Sequence, residues 1–139
     1  MKTYTASTAQ ETYEIGERMG QSAKQGDVIA LYGGLGAGKT VFAKGFAKGL
    51  DICEDVTSPT FTLMRQYAGR LTLCHFDLYR IEDEQELEHI GFYDFLGADN
   101  VCVIEWPENA ADLDANIIVK IEGSGSEPRL IEIEEKRAQ

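Results

Sequence analysis

Long apolar runs, paired cysteines and basic residues are scarce in this 139-residue chain. No apolar stretch approaches the roughly 20 residues that a bilayer-crossing helix needs. The opening "MKTYTASTAQETYEIGERMG" has Lys2 but no apolar h-region, so neither a membrane segment nor a secretory leader is expected and the default location is the cytosol. Cys53, Cys74 and Cys102 stand far apart, with no C-x-x-C pair, which leaves neither a disulfide framework nor a zinc-ligand spacing. Cys74 and Cys102 fall inside apolar runs, where a free thiol packs as a small hydrophobe. A reduced protein fits that usage. Lys and Arg number 13 against 24 Asp and Glu, a formal net charge of −11. That sign argues against gripping a phosphate backbone over a broad face; it leaves room for a local positive pocket, or for a nucleic-acid role exercised through a partner. Internal repeats, low-complexity segments and linkers are also missing, and at 43% hydrophobic and 27% charged residues the composition suits a packed core. Residues 1–139 therefore read as one domain.

What is present alternates between two periods. Thr12, Ile15, Gly16, Met19 and Ala23 recur at helical spacing, so residues 9–24 are expected to form an amphipathic helix. Val28–Tyr32, "VIALY", reads as a strand, and Phe42, Gly45, Phe46, Gly49 and Leu50 mark one face of the helix that follows. The small Gly45 and Gly49 would let that helix pack closely on a sheet. "TLMRQY" (Thr62–Tyr67) and "LTLCHF" (Leu71–Phe76) flank "AGR" as a hairpin. "EDEQELEHIGF" is a short acidic helix ended near Gly91, and "VCVIEW" (Val101–Trp106) is a buried strand stopped by Pro107. "ANIIVKIE" and "RLIEIEE", separated by "GSGSEP", complete the chain as an antiparallel pair. The expected fold class is α/β, a mixed central sheet flanked by helices.

Between the first strand and its helix stands "GGLGAGKT", Gly33–Thr40, which satisfies G-x-x-x-x-G-K-[ST] in full. Each position has a chemical reason. A nucleoside triphosphate presents several anionic oxygens, and successive backbone N–H groups can wrap them only where no Cβ intrudes; Gly36 and Gly38 supply that freedom. The helix beginning near Lys39 aims its positive end at the same phosphates. Lys39 adds a point charge toward the β- and γ-phosphates, and the Thr40 hydroxyl completes a Mg²⁺ shell. Such a loop needs a second acid, for the metal and the attacking water, commonly from an apolar strand that ends in a carboxylate. "VCVIE" ends in Glu105 and "LTLCHFD" in Asp77; either could otherwise be a solvated strand-end charge. Arg80, three residues beyond Asp77, could pair with an acid or contact phosphate. His75, on an alternating strand beside Phe76, reads as readily as a packed or hydrogen-bonded histidine as an acid–base group, and His89 as a surface residue.

"LGAGKT", "SPTF" (Ser58–Phe61), "HFDLYR" (His75–Arg80) and "IEWPE" (Ile104–Glu108) resemble the TsaE family in number, order and spacing, and "ELEHIGFYDFL" resembles it between the last two. The resemblance covers roughly residues 9–109 and implies a P-loop NTPase-like fold and an ATPase needed to make threonylcarbamoyladenosine in tRNA. Carried onto this sequence, it implies a nucleotide-binding set of Thr8, Gly33, Leu35, Gly36, Ala37, Gly38, Lys39, Thr40, Val41, Ser58 and Thr60. Thr40 and Glu105 would hold Mg²⁺, and Lys39, Asp77 and Glu105 would serve the chemistry. Ser58-Pro59-Thr60 would form a switch-like loop sensing the γ-phosphate, and residues around Thr8 to Thr12 would border the adenine. Trp106 would sit beside the metal or cap the core. The partners implied are TsaD and TsaB, with TsaC making the activated intermediate and tRNA met only through the complex. Val41 departs from the second threonine of many members, and Gly34 from an often polar residue; neither breaks the motif.

Two other classes fit a P-loop. A small-molecule or nucleoside kinase would need an acceptor pocket and an arginine-bearing lid, yet Arg18, Arg65, Arg70, Arg80, Arg129 and Arg137 are scattered. A non-catalytic adaptor would bind ATP only to order a partner surface, and could lose Asp77 and Glu105 without losing its partner.

Overall fold

"VIALY" is apolar at every position, the mark of a strand covered on both faces. In a computed structural model, which describes residues 1–57, 59 and 63–136, it forms β2 (Val28–Tyr32) at the middle of a seven-stranded sheet. β2 runs parallel to β5 (Asn100–Glu105) on one side and to β6 (Ile117–Glu122) on the other. β4 (Thr72–Asp77) lies parallel on the far side of β5, and β3 (Met64–Tyr67) pairs antiparallel with β4. At the other edge β7 (Arg129–Glu135) returns antiparallel along β6, and β1 (Lys2–Ala6) pairs antiparallel with β7. The order is β1-β7-β6-β2-β5-β4-β3. This is the mixed, helix-flanked sheet that the sequence leads one to expect. β1 was not expected: "KTYTA" is short and largely exposed, and its strand state comes from its pairing with β7.

α1 (Ala9–Ser22) and α2 (Lys39–Gly49) pack with the core that takes Leu31, Val101 and Val103. The intervening Cys102 and Ile104 go to a second core with Phe76, Leu87 and Phe92, built by α3 (Glu84–His89) and α4 (Phe92–Phe95). Strand alternation thus divides β5 between two layers. Gly91, at φ 70°, separates α3 from α4. The three cysteines are free, Cys74 and Cys102 buried and Cys53 exposed. α1 ends at Ser22 rather than at 24, where the Arg70 guanidinium donates to the carbonyls of Gly20 (2.7 Å) and Ala23 (3.3 Å). Thr62, expected in β3, lies outside the described residues.

Gly45 and Gly49 do not face the sheet, as their spacing had suggested. They face α1. A Cβ added at Gly45 would stand 2.0 Å from the Tyr13 carbonyl oxygen, and one at Gly49 would stand 2.2 Å from that of Glu17. Gly16 and Gly20 of α1 meet α2 backbone at similar range. The two helices therefore touch backbone to backbone, which fixes how α2 lies over the sheet and where its amino end points.

Gly45→Ala is expected to lower the free energy of unfolding by about 1–3 kcal/mol, because backbone must move to admit the methyl group. Gly34→Ala, where nothing lies within 4 Å of an added Cβ, should change it by less than about 0.5 kcal/mol. Urea unfolding followed by circular dichroism checks the pair, and equal effects would contradict the crossing.

Candidate functional site

The chain leaves β2 at Tyr32 and crosses the carboxyl end of the sheet as residues 33–38 before α2 begins. Gly36 (φ 78°) and Gly38 (φ 106°) take left-handed conformations that strain an L side chain. A loop curled in this way turns successive N–H groups toward one concavity. No side chain caps the start of α2, so its first-turn amides also point there without a side-chain acceptor. The sheet order adds a further reason for a site here. From β2 the chain passes through the edge strand β3 to β4, beyond β5, and from β5 it crosses back to β6, so the crevice lies outside the carboxyl ends of β2 and β5 at a topological switch.

Three charges converge on it. β4 and β5 are parallel and in register, so their terminal residues Asp77 and Glu105 are direct neighbours, and Glu105 is also paired with Leu31 of β2. Glu105 is 3% exposed, Asp77 6% and Lys39 7%. Buried charges are rare unless partnered, and these three face one another's fields. Burial pushes the Lys39 ammonium down from its ordinary pKa, while Glu105, Asp77 and Glu108 pull it back up. Its Nζ donates to the Gly33 carbonyl oxygen (2.6 Å) and lies 3.8 Å from the centroid of the Trp106 ring, a cation–π contact. Trp106 reaches Lys39 because its own backbone is left-handed (φ 57°, ψ 49°), an outlier for a bulky residue. This reverses the chain immediately after Glu105. The Tyr79 ring packs against Trp106 at a tilt of 46°, with centroids 4.9 Å apart, and the Tyr79 backbone N–H donates to Asp77 Oδ1 (3.0 Å). His75 Nε2 lies 2.7 Å from Glu105 Oε2.

The cleft so formed has a volume of about 500 Å³ and is bordered by residues 34–41, Asp77, Tyr79, Arg80, Glu105 and Trp106. The expected Leu35, Gly36, Ala37, Gly38, Lys39, Thr40, Val41, Asp77 and Glu105 are therefore brought together, and Gly33 holds the lysine. Arg80 is exposed on the rim and His89 on the surface. Trp106 flanks the cleft. Thr8 caps α1, its hydroxyl accepting from the Glu11 N–H (3.1 Å). It also borders a second cavity, of about 280 Å³, that shares Gly36, Ala37, Gly38 and Val41 with the first. Ser58 and Thr60 lie outside the described residues; between them Pro59 is buried, and its carbonyl accepts from the Leu63 N–H (2.8 Å).

One contributor was not foreseen. Arg129, at the start of β7, donates through Nε to the Ala37 carbonyl oxygen (3.0 Å) and through Nη2 to that of Gly36 (3.2 Å). The same guanidinium donates to Gly125 (3.2 Å) and Glu127 carbonyls of the β6–β7 turn. It braces the glycine loop against the far hairpin. Read in sequence, it is one isolated arginine among six, and nothing local marks it.

The donor set suits Mg²⁺. Two carboxylates and the Thr40 hydroxyl are hard oxygen ligands, and Mg²⁺ usually takes one or two carboxylates together with substrate phosphates rather than an all-protein cage.

A profile of the family described as "Threonylcarbamoyl adenosine biosynthesis protein TsaE" matches residues 6–131. A Treponema pallidum protein named "tRNA threonylcarbamoyladenosine biosynthesis protein TsaE" is 47% identical over 104 residues, 75% of this chain and 77% of its own length. A Bacillus subtilis protein of the same name is 48% identical over 98 residues, 70% of this chain and 61% of its own, so the matched stretch spans under two thirds of that relative. The crystal structure of Bacillus subtilis YdiB superposes with a TM-score of 0.79 at 33% identity, covering 94% of this chain and 82% of the other. No described helix is long and apolar enough to cross a membrane.

Removing the brace should loosen the loop without unfolding the protein. Hydrogen bonds to a charged group contribute roughly 1.5–3 kcal/mol, so Arg129→Met is expected to speed exchange of the Ala37 amide, which donates to the Gly34 carbonyl (3.2 Å), by about tenfold or more. Unchanged exchange there would show that the loop holds its own shape.

Proposed function

This chain belongs to the TsaE family, whose members take part in threonylcarbamoyladenosine biosynthesis in tRNA, and on that footing we propose that it is a Mg²⁺-dependent ATPase acting on a TsaD–TsaB assembly. The observation that carries the reading is the convergence of Lys39, Asp77 and Glu105, all nearly buried, on the concave side of a complete G-x-x-x-x-G-K-T loop.

The phosphates would lie in the larger cleft against the amides of residues 34–39, where the helix start and Lys39 favour negative charge. A phosphate oxygen would take Lys39 Nζ in place of the Gly33 carbonyl, while Trp106 keeps the ammonium from swinging into solvent. The base and ribose would pass over Gly36–Gly38 into the smaller cavity, between Thr8 and Thr12 on one wall and Arg129 on the other. Thr40 and Glu105 would hold Mg²⁺, which would supply positive charge to offset that of the phosphates. Asp77, fixed through Tyr79 N–H, would orient the attacking water or support the metal. Both acids sit at the ends of buried strands, so neither must be reordered at the moment of reaction.

The partner reading has its own support. A net charge of −11 disfavours direct hold of tRNA and suits contact with proteins. ATP and ADP would then prepare surfaces of different affinity for the TsaD–TsaB pair, with residues 58–60 the candidate reporter of the γ-phosphate. On this reading the chain would hydrolyse ATP, whereas an adaptor would only bind it.

Phosphate release and calorimetry on two variants, with TsaD and TsaB present, separate the roles. Lys39→Ala should weaken ATP about 10- to 100-fold and adenosine far less, as expected from losing a charged hydrogen bond. Glu105→Ala should keep Mg²⁺-free ATP affinity within a few-fold yet abolish Mg²⁺-dependent release. Parental ATP affinity in the lysine variant sinks the phosphate assignment, and a parent protein that binds ATP without releasing phosphate supports the adaptor.

A further inference from the structure

Among the described residues, one buried side-chain polar atom lacks any hydrogen-bond partner: Nδ1 of His75. The residue is 0% exposed, on β4 two positions before Asp77, and neighbouring Leu73 and Val103 belong to the apolar core. In the sheet register His75 stands opposite Val103 and Asp77 opposite Glu105. The 2.7 Å contact between His75 Nε2 and Glu105 Oε2 is therefore diagonal across the two strands.

The two nitrogens settle which way the ring is held. A proton on Nδ1 would be a buried donor with nothing to receive it, a cost of order 1–3 kcal/mol. A bare Nε2 would set its lone pair against a carboxylate oxygen. Only the neutral ring with its proton on Nε2 avoids both, donating to Glu105 and leaving no more than a lone pair unmet at Nδ1. A position that served packing alone would be filled at least as well by leucine, without any orphaned atom. The imidazole is used on one side only, and that side is Glu105.

We propose that His75 is a positioning residue for Glu105: its Nε2–H holds Oε2, fixes the carboxylate's rotamer, and leaves Oε1 as the oxygen offered to a divalent cation in the cleft. The same bond keeps Glu105 off Lys39. Among the described residues no salt bridge joins the two, although Glu105 is the strongest charge acting on the lysine. A glutamate released from His75 would be drawn to that ammonium and compete with phosphate for it. The histidine therefore serves both halves of the site, the metal oxygen directly and the lysine by keeping its neighbour occupied. This inference rests on the Mg²⁺–nucleotide reading given above.

The test compares the parent with His75→Leu, which fills the volume without a donor, and His75→Gln, whose amide N–H reaches to the place of Nε2. Affinity for a non-hydrolysable ATP analogue is measured by calorimetry with and without Mg²⁺, next to phosphate release. In His75→Leu the factor by which Mg²⁺ tightens binding, and the rate of release, should both fall about 10- to 100-fold, the usual effect of losing a partner that orients a metal ligand, and Mg²⁺-free affinity should fall by a smaller factor as the released glutamate competes for Lys39. His75→Gln should recover most of both. Nitrogen-15 spectra of the parent's histidine rings should place the His75 proton on Nε2, a readout that needs no variant to fold. The proposal is overturned if His75→Leu keeps the parental Mg²⁺ factor, if Gln is as impaired as Leu, or if the proton sits on Nδ1. A parent that binds Mg²⁺–nucleotide but releases no phosphate contradicts hydrolysis and leaves the affinity and spectral results to judge His75. A parent indifferent to Mg²⁺ overturns both readings.

Discussion

Asp77 and Glu105 stand side by side because β4 and β5 run parallel and in register to their last residues. Little else in the cleft would make sense without that alignment. Parallel strands all finish at the same end of a sheet, so the acids that end them gather there, where β2 also gives way to the glycine loop. A slip of one residue would turn every β4 side chain to the opposite layer; His75 and Asp77 would enter the core of α3 and α4, and Cys74 and Phe76 would face α1 and α2. The two cores of β5 and β4 therefore guard the register. Apolar burial on both faces holds it, and the buried charges at the strand ends are tolerated because they meet one another, His75, and the field of Lys39.

The other half of the site comes from α2, whose amino end is aimed by a contact far from the chemistry. Backbone-to-backbone packing of α1 on α2 at Gly16, Gly20, Gly45 and Gly49 leaves the helix little freedom to slide. Arg129 then ties the loop that precedes it to the β6–β7 turn. Loop, helix and strand ends are thus each fixed from a different direction, the arrangement that an electrostatic site requires if its donors are to be in place before charge develops.

Much of this was legible in the sequence because it is local. The unbroken apolarity of residues 28–32, the glycines and Lys-Thr that follow, the final hairpin and the carboxylates ending two apolar runs all carry their meaning within a few neighbours. What escaped is non-local. β1 is a strand only through β7, and the glycine face of α2 says that something approaches closely without saying whether it is a sheet or a helix. The bond between His75 and Glu105 joins different strands by a diagonal that no spacing shows, so His75 could be read as packed, hydrogen-bonded or catalytic. Arg129 acts across the whole chain on two carbonyls, and carbonyls leave no sequence signature. Trp106 was placed at the strand end, but its left-handed backbone, which carries the ring back over Lys39, is a tertiary compromise. Ser58 and Thr60 lie outside the described residues.

The central claim is that these convergent charges form one Mg²⁺–nucleotide site. Its most direct measurement is a crystal structure of the full chain with a non-hydrolysable ATP analogue and Mn²⁺ in place of Mg²⁺, the metal located by its anomalous scattering. The account predicts phosphates on the amides of residues 34–39 and on Lys39 Nζ, with the metal bound by Thr40 and Glu105. Nucleotide seated elsewhere, or a metal held without either residue, would contradict it.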